Sequence, residues 1–134
     1  MIKRTVSAIV ATFLGLAALN ATIPYRLVIP DVQGYVTLKG DFHVHTVFSD
    51  ADVWPTERVQ EAYLEGLDFI SMTDHLDSRI QHAKHKLDNI LTTDQDDSWR
   101  IASSVAAKYN VMVFHSAEIT RGMPPGHFNT HFIN

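Results

Sequence analysis

The stretch Asp41-Phe42-His43-Val44-His45-Thr46-Val47-Phe48-Ser49-Asp50, answered downstream by Thr73-Asp74-His75, decides how this chain is read. Two histidines two apart on a strand share a face and converge on one point, because side chains alternate with a period of two. Such a pair is a compact metal chelate. Asp41 has the same parity, which suits it to orient a ring or bind directly. Asp74-His75 comes directly after Phe69-Ile70-Ser71-Met72-Thr73, a buried-type strand. A carboxylate and an imidazole at the end of such a strand are costly unless paired or used.

Working outward, the chain shows a βα rhythm. Residues 36–45 alternate, with Val36, Leu38, Phe42 and Val44 apolar, and read as a strand. Residues 53–64 read as a helix: Pro55 suits its first turn, Glu57 its positive end, and Val59, Ala62 and Tyr63 form a stripe. Gly66 closes it. Residues 67–73 form the second strand. Residues 79–97 are polar and read as a loop with one helical turn at most. Ser98 caps a second helix over 99–108 that ends at Asn110 in a left-handed conformation. Residues 111–117 are a third strand, and His127, Asn129 and His131 share parity in a strand-like tail. Strands separated by helices predict parallel pairing, hence an α/β fold that is either a βα barrel or an open sheet. In both, sites gather at the C-terminal ends of strands. His43 and His45, then Asp74 and His75, then Glu118 all fall there. Asp50 sits in a Ser-Asp turn, and Pro124-Pro125-Gly126 shapes a turn that aims His127 inward. Arg121 offers a guanidinium fork for a phosphate oxygen, or a partner for Glu118. His82 and His85 read as surface residues, and His115 points away from Glu118 by parity.

Composition narrows the classes. The 134 residues suffice for one modest domain, with 46% hydrophobic and 19% charged residues and a formal net charge of −4. That charge disfavours nucleic acid as a partner. There is no cysteine, so thiolate metal sites, cysteine nucleophiles and disulfides are excluded. His and carboxylate donors suit Zn, Mn or Fe. No Gly-x-Ser-x-Gly elbow or Gly-rich phosphate loop occurs. Residues 1–21 read as a signal peptide: Lys3 and Arg4 are followed by an apolar run from Ala8 to Leu19, and Ala21 marks a cleavage position. The expected organisation is a signal peptide at 1–21, an extended lead-in at 22–34 and an α/β domain at 35–134. It implies export, to periplasm or medium, with no stable membrane span after cleavage.

His43-Val44-His45-Thr46, Ser49-Asp50, Thr73-Asp74-His75, Glu118 and Gly126-His127 together resemble the opening motifs of the PHP (polymerase and histidinol phosphatase) domain family, over about residues 39–131. Lys39-Gly40-Asp41-Phe42-His43 and Pro124-Pro125-Gly126-His127-Phe128-Asn129 look like its secreted members. The resemblance implies a distorted βα barrel with up to three divalent ions (Zn, Mn or Fe), and hydrolysis of a small-molecule phosphoester by a metal-activated hydroxide. Carried over, His43, His45, Asp50, His75, Glu118 and His127 fall on ligand positions, and Asp74 is a catalytic candidate beside the ligand His75; Arg121, from its own chemistry, is the substrate-binding candidate. Ala51 departs from the family's Gly after Ser-Asp. The family's later His and Asp-x-His have no counterpart, so the chain is expected to be an N-terminal portion with an incomplete barrel, an uncovered apolar sheet and little activity alone. A non-catalytic metal-binding remnant and an amidohydrolase-type metallohydrolase are the alternatives.

Overall fold

The structure, a computed structural model, describes residues 6, 7, 9–12, 14, 26–76, 94, 96–119 and 126–133. Its elements run β1 (Gly40–Val44), α1 (Pro55–Leu64), β2 (Phe69–Met72), α2 (Asp97–Tyr109), β3 (Met112–Ile119) and β4 (Phe128–His131). The four strands form one sheet in the order β1-β2-β3-β4. β1, β2 and β3 pair parallel, as alternation with helices predicts, and β4 returns antiparallel to β3. This is an α/β fold, a mixed half-barrel sheet with its helices on one face. The signal-peptide and polar-loop readings fall mostly outside the described residues.

Both helices end for the same physical reason. At α1, Gly66 adopts φ 72°, Gly66 N–H donates to Tyr63 O and Leu67 N–H to Ala62 O, which satisfies the last carbonyls. At α2, Asn110 takes φ 52° and Val111 N–H donates to Ala106 O. Pro55 opens α1, so the helix starts there rather than at Val53, because a proline fits where no N–H partner is needed. Ser98 does not cap α2. It is buried one residue inside the helix, and Asp96 holds the cap position without a side-chain bond.

The core lies between the helices and one face of the sheet: Val44, Val59, Ala62, Ile70, Met72, Ala102 and Val111. All four residues of β2 are buried, as befits a strand flanked by β1 and β3. Burying a side chain such as Ile70 contributes about 1.5–3 kcal/mol.

β1 corrects the alternation read from sequence. It begins at Gly40, not Val36, and Val36 and Leu38 are exposed. Asp41 aligns with Ile70 but Val44 with Met72, so three steps on β1 match two on β2, a bulge. Phe42 therefore faces Phe69 on the second face of the sheet, while Val44 joins the core beneath the helices. On that second face run Phe42, Phe69, Phe114 and Phe132, with successive ring centroids 4.7, 5.1 and 4.7 Å apart. Phe42 and Phe132 are exposed, part of an apolar face that the described residues leave uncovered.

Candidate metal centre

Backbone pairing past the strand ends sets the site. Thr73 N–H donates to Val44 O, Glu118 N–H to Asp74 O and Leu76 N–H to Glu118 O, so the tips of β1, β2 and β3 stay in register. His75 and Glu118 form an isolated parallel bridge there. Glu118 lies within β3 rather than after it, because the strand continues to Ile119 through this pairing and that of β4.

The side chains converge on Glu118, whose carboxylate is 2% exposed. Its Oε2 lies 2.9 Å from His43 Nε2, 2.9 Å from His45 Nε2 and 3.5 Å from His75 Nδ1. His127 Nδ1 contacts its Oε1. The two Nε2 atoms of His43 and His45 are 2.8 Å apart. Asp50 Oδ1 sits 2.6 Å from His45 Nδ1 and its Oδ2 3.4 Å from His75 Nε2. The six residues expected as ligands thus assemble into three overlapping groups: His43-His45-Glu118, His45-Asp50-His75 and His75-Glu118-His127, each with potential donor atoms within 4.8 Å of one another.

Electrostatics favour charged carboxylates. Burial works to raise the Glu118 carboxyl, but bonds from His43 and His127 and the charges of His75 and His45 outweigh it, holding it below the ordinary value. Burial likewise opposes charge on Asp50, and the His45 bond with the His45 and His75 charges brings it below the usual range.

The donor set fits divalent ions. Four imidazoles crowd around one buried carboxylate, more nitrogen donors than an ion pair needs, and Glu118 turns Oε2 to His43, His45 and His75 and Oε1 to His127. A carboxylate so placed can bridge two ions. All donors are N or O, the chemistry of Zn, Mn or Fe sites.

Other predicted residues fall elsewhere. Asp74 is buried, not exposed at the strand end, and is in none of the three groups; its oxygens bond Thr46 and Ser49. Asp41 accepts the N–H of His43 instead of touching a ring. His115 stacks on Trp99 and bonds Asp96, away from Glu118 as its parity predicts. His131 lies 2.8 Å from Ser71 Oγ. Arg121, His82 and His85 lie outside the described residues. Sequence reasoning missed Thr46, which with Ser49 closes the turn that presents Asp50, and Arg58, whose Nε donates to His45 O. Only the Thr-x-x-Ser spacing could have hinted at the former.

No family model and no curated protein matches the chain. Among solved structures it is similar to a two-domain protein from Bacteroides vulgatus ATCC 8482 containing a predicted PHP-like metal-dependent phosphoesterase. The identity is 42% with a TM-score of 0.73, over 83% of this chain and 31% of that one. A second similar structure, from Bifidobacterium adolescentis ATCC 15703 and provisionally assigned as a metal-dependent phosphoesterase, is 22% identical with a TM-score of 0.48, over 68% and 26% of the two chains. The chain therefore spans about a third or less of the solved proteins it matches. With the ordered His, Asp and Glu set gathered at the strand ends of the fold shared with the Bacteroides protein, this chain belongs to the PHP family.

Proposed function

We propose that this chain supplies the first ligand set of a metal-dependent phosphoester hydrolase acting on a small-molecule phosphoester. The observation that carries the reading is the convergence of four imidazoles on buried Glu118, with Asp50 against two of them. Likeness to a protein containing a predicted PHP-like metal-dependent phosphoesterase supports the reaction class. His43, His45 and Glu118 would hold one ion and His75, Glu118 and His127 a second, with His45, Asp50 and His75 offering a further position. Bound divalent ions lower the pKa of coordinated water and polarise a phosphoryl oxygen.

The chain's own residues do the rest. Glu118 and Asp50 bring anionic charge to a site otherwise lined by imidazoles, and the burial of Glu118 limits the screening of its charge. Asp50, 2.6 Å from His45 Nδ1, fixes the ring so that its Nε2 faces Glu118. Arg58 holds the His45 carbonyl from α1 and so ties the ligand strand to the helix layer. Arg121 is proposed to bind substrate phosphate, from its guanidinium chemistry and its place in the sequence between Glu118 and His127. Export is proposed from the charged start and apolar run of residues 1–21.

The test is to strip the chain with a chelator, titrate Mn, Zn and Fe back, and measure bound ions together with hydrolysis of p-nitrophenyl phosphate and of an amide. Bound ions with chelator-sensitive phosphoester hydrolysis support the proposal. Ions without turnover support the ligand set but not hydrolysis by this chain itself, amide hydrolysis supports the amidohydrolase type, and no bound ion overturns all three.

A further inference from the structure

We propose that Asp74 is a positioning residue, which locks the turn at residues 46–50 so that Asp50 stays in register with His45 and His75. This deepens the metal-centre reading and rests on it. Asp74 is 6% exposed and both its oxygens are committed: Oδ1 accepts Thr46 N–H at 2.7 Å and Ser49 Oγ–H at 2.6 Å, and Oδ2 accepts Thr46 Oγ1–H at 2.8 Å. Thr46 and Ser49 are themselves buried. Thr46 in turn organises the loop: its carbonyl accepts from Ser49 and Ala51 N–H, both at 3.1 Å, and its hydroxyl from Phe48 N–H at 3.1 Å. Asp50 is thus presented by a turn whose centre Asp74 grips.

The main chain of the same residue faces the other way. Asp74 O accepts Glu118 N–H at 3.1 Å, and the next residue is His75. One residue therefore joins the three segments that carry His45 and Asp50, His75, and Glu118. Three of the roughly four acceptor sites of its carboxylate are taken by buried donors, which leaves it little capacity to serve as a ligand. A buried carboxylate that merely filled space would not need to bind the ligand-bearing turn at two residues.

The test compares wild type with Asp74→Ala, Asp74→Asn and Asp50→Ala by two readouts. Amide hydrogen exchange is followed in the metal-free chain, and Co(II) binding by titration. Asp74→Ala is expected to lose exchange protection at Ser49 and Ala51 while β2 and β3 keep theirs. It should weaken the one class of ions that depends on Asp50 by about 10- to 100-fold, the range for partners that orient ligands, and leave other ions within twofold. Asp50→Ala should weaken the same class, and adding Asp74→Ala to it should weaken that class no further. Asp74→Asn, which keeps one acceptor oxygen, should fall between. Unchanged protection and binding, or equal weakening of every ion with protection lost throughout the sheet, would overturn the proposal. If Asp74→Ala does not fold, Thr46→Val and Ser49→Ala each remove one donor and leave the carboxylate; smaller losses in the same places are expected, and none would overturn it. A wild-type chain that binds no Co(II) refutes the metal centre alone, since the exchange comparison still decides whether Asp74 holds the turn.

Discussion

Replacing Glu118 by Gln changes one buried atom type and reaches two donor groups at once. Glu118 Oε2 belongs with His43 and His45, and Oε1 with His127. Glutamine keeps the shape and one acceptor oxygen but loses the charge and replaces an acceptor by a donor. Taking a hydrogen bond to a charged group, about 1.5–3 kcal/mol, as the least each ion loses gives about 10- to 150-fold weaker binding per ion. Isothermal titration of metal-free chain with Zn or Mn at neutral pH would read this as weakening of two ion classes together, where His127→Ala weakens one. The metal-free protein should be less stable as well, because imidazoles arranged around an anion then face an amide. That stability difference has a defined pH course. The folded Glu118 carboxyl is held below its ordinary value, so its contribution is fully present above the unfolded value and disappears as pH falls through the folded one. The gap between wild type and Glu118→Gln should therefore close in acid. Unchanged affinity for every ion in Glu118→Gln would refute the reasoning, whatever its effect on stability.

Asp50 is also held below its usual value, so wild-type stability, measured by urea midpoint, should be level near neutrality and fall once pH drops below the ordinary carboxylate range; a midpoint that rises there would contradict both assignments. Gly40→Ala would place a Cβ 2.3 Å from the Phe69 ring, which Phe42 and Phe114 hold in place, so the clash should outweigh alanine's entropic advantage and cost about 1–3 kcal/mol by denaturant unfolding; a stabilised variant would show that the ring yields.

The parallel order of three strands and both helix ends were legible in the sequence because each is governed by local rules, whereas the set of six candidate ligands came from the family resemblance. Chain order and spacing put His43, His45, His75 and Glu118 at strand ends, and the left-handed closures at Gly66 and Asn110 are properties of those residue types. The alternation of residues 36–45 misled because a bulge depends on pairing with a neighbour: nothing in Phe42-His43-Val44 itself says that β2 will advance two residues while β1 advances three. Asp74 shows the same division. Its expected exposure at a strand end and its nearness to His75 made it look like part of the chemistry. Which groups its oxygens meet depends on a turn twenty-five residues or more upstream, and only the folded chain brings Thr46 and Ser49 to it. The sequence by itself determined the chemistry available, a cysteine-free set of imidazoles and carboxylates on a βα frame. The tertiary structure alone decided the division of labour, because hydrogen bonds and ion contacts fall off within a few ångströms and residues 28 and 75 apart in sequence reach that range only when the strands are stacked in register.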